Sequence, residues 1–276
     1  MQNEVITSVQ NPRIKQLLAL QQKSAERRKS GLFVVEGRRE LQHCINAGLT
    51  IDTIFWCQEM APHFSPIGEL EGPSQVATLT THLTPVSSYV YEKIAYRGST
   101  EGIIAVVHTP NSSLSTLTAN LSPLASPLFI VLERVEKPGN LGAVLRSADA
   151  AGVDAVIVCD PLTDLYNPNL IRSSIGAIFT LPTITCTSEE CIAWLKQHHV
   201  QILTAQLQDS EVYYDTDMTR PTAIVMGTEA TGLTPIWREA ADAHIRIPML
   251  GKLDSLNVSV SAAILMFEAV RQRQKK

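Results

Sequence analysis

Polar side chains stand at the ends of three apolar stretches of the chain, where they can act together on a ligand. The set consists of Asn140, Arg146, Glu229, Ser255 and Asn257. Amide, carboxylate and hydroxyl groups hydrogen-bond polar ligands, and a guanidinium binds phosphate through two parallel hydrogen bonds. A helix amino terminus, such as the one expected after Asn257, adds unpaired N–H groups and a positive dipole end. The pattern predicts a ligand site where these stretches end.

The elements that must hold this site are visible as alternating apolar runs and helical segments. The apolar runs occupy 128–132, 155–159, 181–186, 201–204, 222–226 and 245–250, and helical patterns occupy 141–151, 169–179 and 188–198, with a further helix after residue 257. Such alternation is typical of an α/β domain with a mostly parallel sheet covered by helices on both faces. Ligands bind at the carboxyl ends of the strands in such sheets. The domain is expected to span residues 128–276.

The first part of the chain predicts a smaller α/β unit over residues 1–108. Helices are predicted at 11–28, 37–47 and 87–96, and strands at 32–35, 53–56, 75–77 and 102–107. Asn11 is expected to cap the first helix, with Pro12 in its first turn. Residues 109–127 are rich in Ser, Thr and Pro and fit neither period, which predicts an irregular linker between two domains.

Composition places the chain among globular proteins. It has 276 residues, of which 45% are hydrophobic and 18% charged. No apolar run is long enough to span a membrane, and the amino terminus lacks a signal-peptide pattern. The five cysteines are scattered without a C-x-x-C pair, and no His or Cys has metal-ligand spacing. We expect a cytoplasmic protein with reduced thiols and no metal site.

Basic residues are concentrated at both ends of a chain whose net charge is −4. Residues 1–39 contain eight Lys or Arg against three acids, and the tail adds Arg271, Arg273, Lys275 and Lys276. Clustered positive charge on an acidic body is typical of a phosphate-binding surface. Solvated helix faces produce the same pattern, so charge alone leaves a phosphate-binding surface and an ordinary solvated surface equally open.

Several common nucleotide and hydrolase signatures are missing. No G-x-G-x-x-G follows a predicted strand, which argues against a dinucleotide-binding oxidoreductase. Residues 227–234 have the outline of a P-loop, but Leu233 replaces the lysine that binds phosphate. No G-x-S-x-G elbow is present. The remaining polar clusters also have a purely structural explanation, since Asn140 and Asn257 are good helix caps.

Taken together and in this order, three segments closely resemble the motifs of the SpoU/TrmH family of RNA 2′-O-ribose methyltransferases. They read P-G-N-L-G-A-V-L-R at 138–146, M-G-T-E-A-T-G-L at 226–233 and I-P-M-L-G-K-L-D-S-L-N-V-S-V-S at 247–261. G-L-F-V-V-E-G at 31–37 and T-E-G-I-I-A at 100–105 also resemble that family's substrate-binding domain. L-Y-N-P at 165–168 with I-R-S-S-I-G at 171–176 is similar to the members that modify ribosomal RNA, including the thiostrepton-resistance enzymes.

The resemblance implies a fold, a cofactor and an assembly. The carboxyl-terminal domain is expected to carry a deep trefoil knot, a rare exception among folds. S-adenosylmethionine is expected to bind in the knot, held largely by backbone near Gly227, Ile247, Met249 and Leu256. Family members work as homodimers with the site near the subunit interface, so a homodimer is expected. The cofactor brings its own leaving group, so no metal is needed.

By the same resemblance, the five polar residues are the expected catalytic set for methyl transfer to a ribose 2′-OH. Arg146 is central, but a guanidinium has no acceptor lone pair and is a poor candidate for the base. We expect it to hold the target nucleotide's phosphate and stabilise alkoxide charge, while that phosphate or water takes the proton. Glu229 is expected to orient Arg146 or Asn140. Ser255 and Asn257 are expected to fix the motif loops and the ribose.

The expected substrate is RNA, with 23S-type ribosomal RNA favoured by the two-domain layout and by the segment at 165–176. Arg38, Arg172 and the basic first helix are expected to contact the RNA backbone. A tRNA substrate is one alternative. A non-catalytic RNA-binding or ribosome-assembly protein is another, although a binder has no need of the whole catalytic set.

Overall fold

The computed structural model describes residues 4–62, 64, 83–96, 101–120, 126–228, 231–252 and 255–274. The chain forms two compact units. The first comprises Met1–Pro110 with Leu165–Arg172, and the second comprises Asn111–Asp164 with Ser173–Lys276. Within the described ranges, no helix is long and apolar enough to cross a membrane.

The first unit is built on a four-stranded sheet in the order β1-β4-β2-β3. Its elements are α1 Pro12–Gln22, α2 Ser24–Ser30, β1 Leu32–Glu36, α3 Arg38–Asn46, β2 Ile51–Trp56, β3 Leu83–Pro85, α4 Ser88–Ile94 and β4 Ile103–His108. β4 runs antiparallel to β1 and β2, and β3 pairs parallel with β2. Asn11 caps α1 as predicted, accepting a 2.9 Å hydrogen bond from the N–H of Arg13. Ile14, Leu17 and Leu20 form a buried stripe along α1.

The single helix predicted at 11–28 is wrong, because two helices meet at Lys23, whose backbone is extended. The guanidinium of Arg27 is buried there and donates to the carbonyl oxygens of Leu20 and Gln21, with 3.2 Å to the latter. The last carbonyls of a helix have no intrahelical donor, so Arg27 satisfies the end of α1. Arg27, one of the basic residues in the segment 1–39, therefore stabilises the fold.

The segment at 165–172, predicted as part of the second domain, belongs to the first unit. The rings of Phe33 and Tyr166 are stacked with 4.5 Å between their centroids. The hydroxyl of Tyr96 donates to Asn169 Oδ1 at 2.9 Å. Local sequence patterns cannot predict aromatic stacking between residues so far apart in the sequence.

The second unit contains a seven-stranded sheet in the order β7-β6-β5-β10-β8-β11-β9. Its strands are β5 Leu128–Glu133, β6 Ala155–Cys159, β7 Thr183–Cys186, β8 Gln201–Ala205, β9 Glu211–Val212, β10 Thr222–Met226 and β11 Ala243–Arg246. The helices after β4 are α5 Leu114–Asn120, α6 Pro138–Ala151, α7 Pro168–Ser174, α8 Ala177–Thr180, α9 Ser188–Gln197, α10 Pro235–Ala240 and α11 Val258–Arg273. All neighbouring strands of this sheet run parallel. The predicted α/β class is confirmed.

The centre of this sheet is covered on both faces, as predicted. Every residue of β5, β6 and β10 is buried, which is the signature of strands with helices above and below. Trp237 of α10 and Leu195 of α9 pack into one core with alternate residues of these strands. α11 packs against α6 and touches β5 and β10.

The linker predicted at 109–127 is wrong at its centre, where α5 lies. Leu117 is buried in the core of the second unit. The indole N–H of Trp194 donates to Thr118 Oγ1 at 2.8 Å. Two apolar residues on one side, Leu114 and Leu117, are too few to reveal a helix among Ser and Thr.

Other differences concern short elements. The helix predicted at 169–179 is two helices, α7 and α8, separated by positive φ angles of 53° at Ile175 and 83° at Gly176. The sequence does not predict β3, β9 or α10, and its strand at 75–77 lies outside the described residues. A knot depends on the whole course of the chain, and residues 229–230 and 253–254 are also outside them. The knot stays a prediction.

Candidate functional site

Loops at the carboxyl edge of the seven-stranded sheet enclose a cavity of about 440 Å³. Its walls come from the segments after β8, β10 and β11 and from the start of α11. All four residues expected to bind the cofactor line it, together with one of the expected catalytic set: Gly227, Ile247, Met249, Leu256 and Ser255. Ligand pockets commonly measure about 300–1,000 Å³, so the cavity has room for a small organic cofactor.

Gly227 allows the loop after β10 to fold back on itself. A Cβ at this position would lie 2.3 Å from the backbone of Gly232, closer than real atoms approach. Thr228 and Gly232 form an antiparallel bridge, and the hydroxyls of Thr228 and Thr231 lie 2.8 Å apart. Gly227, Thr228, Thr231 and Gly232 form part of one wall of the cavity. Glu229 lies outside the described residues, so its expected role stays a prediction.

Asn257 joins the start of α11 to the first turn of α6. Its Oδ1 accepts hydrogen bonds from the N–H and the hydroxyl of Ser259, at 3.0 and 2.6 Å, and so caps α11 as predicted. Its Nδ2 donates to Oδ1 of Asn140 at 3.2 Å. The first and third motif segments therefore share a hydrogen bond.

Asn140 is not the helix cap that the sequence predicts. α6 begins at Pro138, with Lys137 in the capping position and no side-chain cap hydrogen bond. Proline suits a first helical position because its missing N–H would have no partner there, so the helix starts before Asn140. Asn140 instead lines a pocket of about 80 Å³, whose walls include Gly227 and Thr228 of the larger cavity.

Gly142 allows another segment of the chain to approach α6 closely. A Cβ there would lie 1.9 Å from Oγ of Ser173 and 2.8 Å from the backbone nitrogen of Ser174. The Ser173 hydroxyl donates to the carbonyl oxygen of Pro138 at 3.2 Å. These contacts hold the first turns of α6, and with them Asn140, in a fixed place.

Sequence reasoning missed Glu133, the last residue of β5. Its carboxylate is 2% exposed and accepts hydrogen bonds from the hydroxyl of Thr234 and, at 2.8 Å, from its N–H. Thr234 is the capping residue of α10 and follows the Gly227 loop. Glu133 also lines the 80 Å³ pocket. The available signal was a carboxylate ending a fully apolar strand, because a buried charge requires partners.

Arg146 lies on the exposed side of α6. Six positions separate it from Asn140, so the two side chains leave the helix about 120° apart. Among the described residues it lines neither the 440 Å³ cavity nor the 80 Å³ pocket. The fold thus brings Asn140, Asn257 and Ser255 to the cavity and its rim but leaves Arg146 away from the cavity of its own chain.

Arg172 lines a pocket of about 180 Å³ in the first unit, with Glu36, Glu101 and Tyr96. Its guanidinium carbon lies 5.9 Å from the centroid of the Tyr96 ring. Burial raises the pKa of the Glu36 carboxyl above its ordinary value of 4.5, opposed by the Tyr96 N–H, which donates to it at 3.0 Å, and by the charge of Arg172. Within the described part of the chain, Oε1 of Glu36 is buried without a hydrogen-bond partner.

Arg38 begins α3 rather than lining that pocket. Its N–H donates to Oε2 of Glu101 at 2.6 Å, so Glu101 caps a helix whose own capping residue, Gly37, has no side chain. Its guanidinium carbon lies 5.6 Å from the centroid of the Phe64 ring. The two residues expected to bind RNA therefore occupy different surroundings.

Two protein-family models match the chain, one over its first part and one over its second part. The MRM3-like substrate binding domain matches residues 11–105, and the SpoU rRNA Methylase family matches residues 127–267. The second match contains every segment that lines the 440 Å³ cavity. The chain belongs to the SpoU rRNA methylase family.

Proteins of named activity are similar to this SpoU-family chain over nearly its whole length. A 23S rRNA uridine 2′-O-methyltransferase of Streptomyces viridochromogenes is 30% identical, over 97% of this chain and 92% of that one. The crystal structure of an RNA 2′-O ribose methyltransferase is 38% identical with a TM-score of 0.78, covering 98% and 100% of the two chains. The crystal structure of an AdoMet-bound rRNA methyltransferase from Sinorhizobium meliloti is 28% identical with a TM-score of 0.85, covering 98% of each.

Proposed function

We propose that this chain transfers a methyl group from S-adenosylmethionine to a ribose 2′-OH of RNA, with 23S-type ribosomal RNA as its substrate. The observation that carries the proposal is the convergence of the three motif segments: the Asn140–Asn257 hydrogen bond lies beside a 440 Å³ cavity that has Gly227 and Thr228 in its wall. The named activities of the similar proteins support both the reaction and the substrate.

The cavity fits S-adenosylmethionine in size and in character. Four buried apolar residues in its wall can pack against an adenine ring: Met226, Leu233, Ile245 and Leu265. Gly227, Ile247, Met249 and Leu256 would hold the cofactor, largely through their backbone groups. When bound, S-adenosylmethionine supplies a methyl group on a sulfonium centre.

The chain's own residues position the ribose and handle its proton. Amides such as those of Asn140 and Asn257 both donate and accept hydrogen bonds, which suits them to ribose hydroxyls. Arg146 holds the phosphate of the target nucleotide and stabilises the alkoxide that forms as the 2′-OH loses its proton. A guanidinium stays protonated, so the phosphate oxygen or a water molecule accepts that proton.

Arg146 has a role in the proposed reaction but does not line the cavity of its own chain. A homodimer in which Arg146 of one protomer acts at the cavity of its partner would account for both. Val260 and Phe267 of α11 are 47% and 48% exposed and lie seven residues apart, hence on one side of the helix. Exposed apolar side chains on one side of a helix are suited to burial against a second protomer. α6, which carries Arg146, packs against α11, and both helices begin beside the cavity.

Light scattering tests the dimer directly. Phe267→Glu should give a monomer with weakened methyl transfer, because a charge cannot be buried in an apolar interface without a partner. Leu162→Glu, at a residue that is 55% exposed elsewhere in the second unit, is the matched control and should remain dimeric. A wild-type protein that is monomeric at assay concentrations would exclude the shared site.

Arg38 and Arg172 are proposed to contact RNA phosphates from the first unit. Each phosphate neutralised contributes to the salt dependence of RNA binding, so affinity should fall steeply as salt rises. Arg172→Gln should lower the slope of log affinity against log salt by about 1 without changing sequence preference. An unchanged slope would remove Arg172 from the interface.

The test of the reaction is transfer of labelled methyl from S-adenosylmethionine to unmodified 23S rRNA and, separately, to tRNA. Label is expected in alkali-resistant dinucleotides of the rRNA, because a methylated 2′-oxygen can no longer attack the neighbouring phosphate. Label on tRNA alone would keep the reaction and overturn the substrate. Absence of label on both RNAs and on ribosomal particles, with cofactor binding intact, would favour an RNA-binding protein.

A further inference from the structure

Three cysteines that are far apart in the sequence meet in the second unit. Cys159 ends β6, Cys186 ends β7, and Cys191 lies in the first turn of α9. Their sulfur atoms all lie within 4.8 Å of one another, and those of Cys159 and Cys186 are 3.9 Å apart. Although these cysteines are scattered in the sequence, the parallel pairing of β6 with β7 places Cys159 opposite Cys186.

This cysteine cluster is separate from the proposed methyl-transfer site. β7 is the edge strand and β6 its neighbour, and β5 stands between β6 and β10, the strand that leads to Gly227. The cluster lines neither the 440 Å³ cavity nor the 80 Å³ pocket. A ligand of the cluster would therefore not occupy the place of the cofactor or the ribose.

The sulfur spacing matches a site of three thiolates around one metal ion. A zinc–sulfur bond is about 2.3 Å long, so sulfur atoms that share one ion lie about 3.8–4.0 Å apart. The sulfur atoms of Cys159 and Cys186 already have this separation. The third sulfur has to move by at most about 1 Å to complete the triangle.

Access and helix position favour a thiolate at Cys186 in particular. Cys159 and Cys191 are fully buried in the apolar core, which favours their neutral thiols until a cation is bound, whereas Cys186 is half-buried and gives access from solvent. Cys186 immediately precedes Thr187, the capping residue of the ten-residue helix α9. The positive end of a helix favours thiolates beside it.

Carboxylates next to the cysteine cluster are engaged elsewhere. Oδ2 of Asp160 accepts hydrogen bonds from the N–H and the hydroxyl of Ser188, at 3.1 and 2.6 Å. Oε2 of Glu190 accepts from the N–H of Thr187 at 2.9 Å. Among the described residues, the cluster offers three sulfur donors and no carboxylate.

We propose that Cys159, Cys186 and Cys191 bind one thiophilic closed-shell cation, Cu⁺ or Zn²⁺, as three thiolates. Soft sulfur ligands select these ions over harder ones. Three sulfurs suffice for Cu⁺, whereas Zn²⁺ needs a fourth ligand, which water supplies beside Cys186. Binding breaks three S–H bonds, forms three metal–sulfur bonds and releases three protons to water, with no change of oxidation state.

The test uses the full chain, reduced and stripped of metal by a chelator, with Cu⁺ and Zn²⁺ titrated separately against a chromogenic competitor. One equivalent of one of the two ions should bind, and the temperature of unfolding should rise with it. Cys186→Ser should weaken binding at least about tenfold, since a neutral hydroxyl replaces a thiolate. Cys44→Ser is the matched control: a buried cysteine of the first unit whose loss should leave affinity unchanged.

A second measurement uses only the wild-type protein, so it remains valid even if Cys186→Ser does not fold. The bound ion should protect the Cys186 thiol from alkylation by iodoacetamide, measured on its peptide by mass spectrometry. Neither ion binding in a one-to-one ratio, or equal affinity in the wild type, Cys186→Ser and Cys44→Ser, would overturn the proposal. Unchanged alkylation of Cys186 with one equivalent of ion bound would place that ion elsewhere and overturn it as well.

Discussion

Nδ2 of Asn257 donates a 3.2 Å hydrogen bond to Oδ1 of Asn140, across 117 positions of the sequence. Oδ1 of the same Asn257 side chain accepts from Ser259 and caps α11. The nitrogen therefore fixes the start of one helix against the other, while the oxygen stabilises the helix itself. Because two different atoms carry the two roles, substitutions can separate positioning from stability.

Asn257→Ser should keep the cap and lose the link to Asn140. Serine caps helices about as well as asparagine, so the unfolding free energy should stay within roughly 0.5 kcal/mol of the wild type. Its short side chain cannot span the distance to Asn140, and loss of one positioning hydrogen bond should reduce methyl transfer about tenfold. Asn257→Ala should lose the cap as well, at about 1 kcal/mol. Full activity in Asn257→Ser would show that the link is dispensable.

Gly227→Ala should weaken cofactor binding and destabilise the second unit. The added methyl would lie 2.3 Å from the Gly232 backbone, which cannot move aside as a side-chain end can. Overpacking of this kind costs about 1–3 kcal/mol. Calorimetry with S-adenosylmethionine and thermal unfolding measure the two effects. Gly139→Ala is the stability control, because a Cβ there meets nothing within 4 Å; equal stability of the two variants would contradict the close approach.

Glu133→Gln should destabilise the chain although it preserves the shape of the side chain. Both carboxylate oxygens accept hydrogen bonds from Thr234, and an amide offers only one acceptor, so its NH2 group has to donate to the Thr234 hydroxyl instead. Replacing charge-assisted hydrogen bonds by neutral ones should cost about 1 kcal/mol, measured by chemical denaturation. Glu136→Gln changes an exposed carboxylate three residues away and should be nearly neutral. Comparable losses in both variants would show that Glu133 has no special role.

Arg146→Lys should lose most methyl-transfer activity although it keeps the positive charge. Lysine is a point charge and cannot bind a phosphate through two parallel hydrogen bonds. A fall of at least about tenfold in kcat/KM, with cofactor affinity unchanged, is the expected result. Near-normal turnover would exclude the phosphate-binding role.

Mixing two inactive variants tests which protomer supplies Arg146. Arg146→Ala leaves the cavity intact, and Leu256→Glu is expected to block it, since Leu256 lines its wall. If Arg146 serves the partner's cavity, randomly exchanged dimers should recover about a quarter of wild-type activity, because half are mixed and each has one complete site. If Arg146 serves its own cavity, the mixture should stay inactive.

Glu36 should make stability depend on pH in the first unit. Its pKa is raised by burial above the ordinary value of 4.5, so its contribution is complete below that value and is lost as pH rises through the raised pKa. Glu36→Gln removes the ionisation. The stability of this variant relative to the wild type should therefore increase from pH 4.5 towards neutrality in denaturant titrations. A difference that is constant with pH would contradict the raised pKa.

Local patterns were sufficient for the sheet class and for several exact boundaries. β6 and β10 occupy the predicted residues 155–159 and 222–226, because a run of four or five apolar residues between polar ends identifies a fully buried strand. Asn257 was recognised as a cap, since capping depends on residues within one turn. The motif segments sufficed to predict the family and four of the residues that line the cavity.

Only the tertiary structure determined which side chains and strand ends are neighbours in space. Spacing in the sequence says nothing about strand order, which brings Cys159 opposite Cys186 and sets the ends of β5 and β10 side by side. From the local sequence alone, Asn140 is predicted to cap a helix. The helix begins earlier, at Pro138, and the Asn140 amide accepts a hydrogen bond from Asn257, 117 residues further along the chain. Local patterns report the burial and backbone geometry of each segment. Which polar ends meet is fixed only when the strands pair and the helices pack.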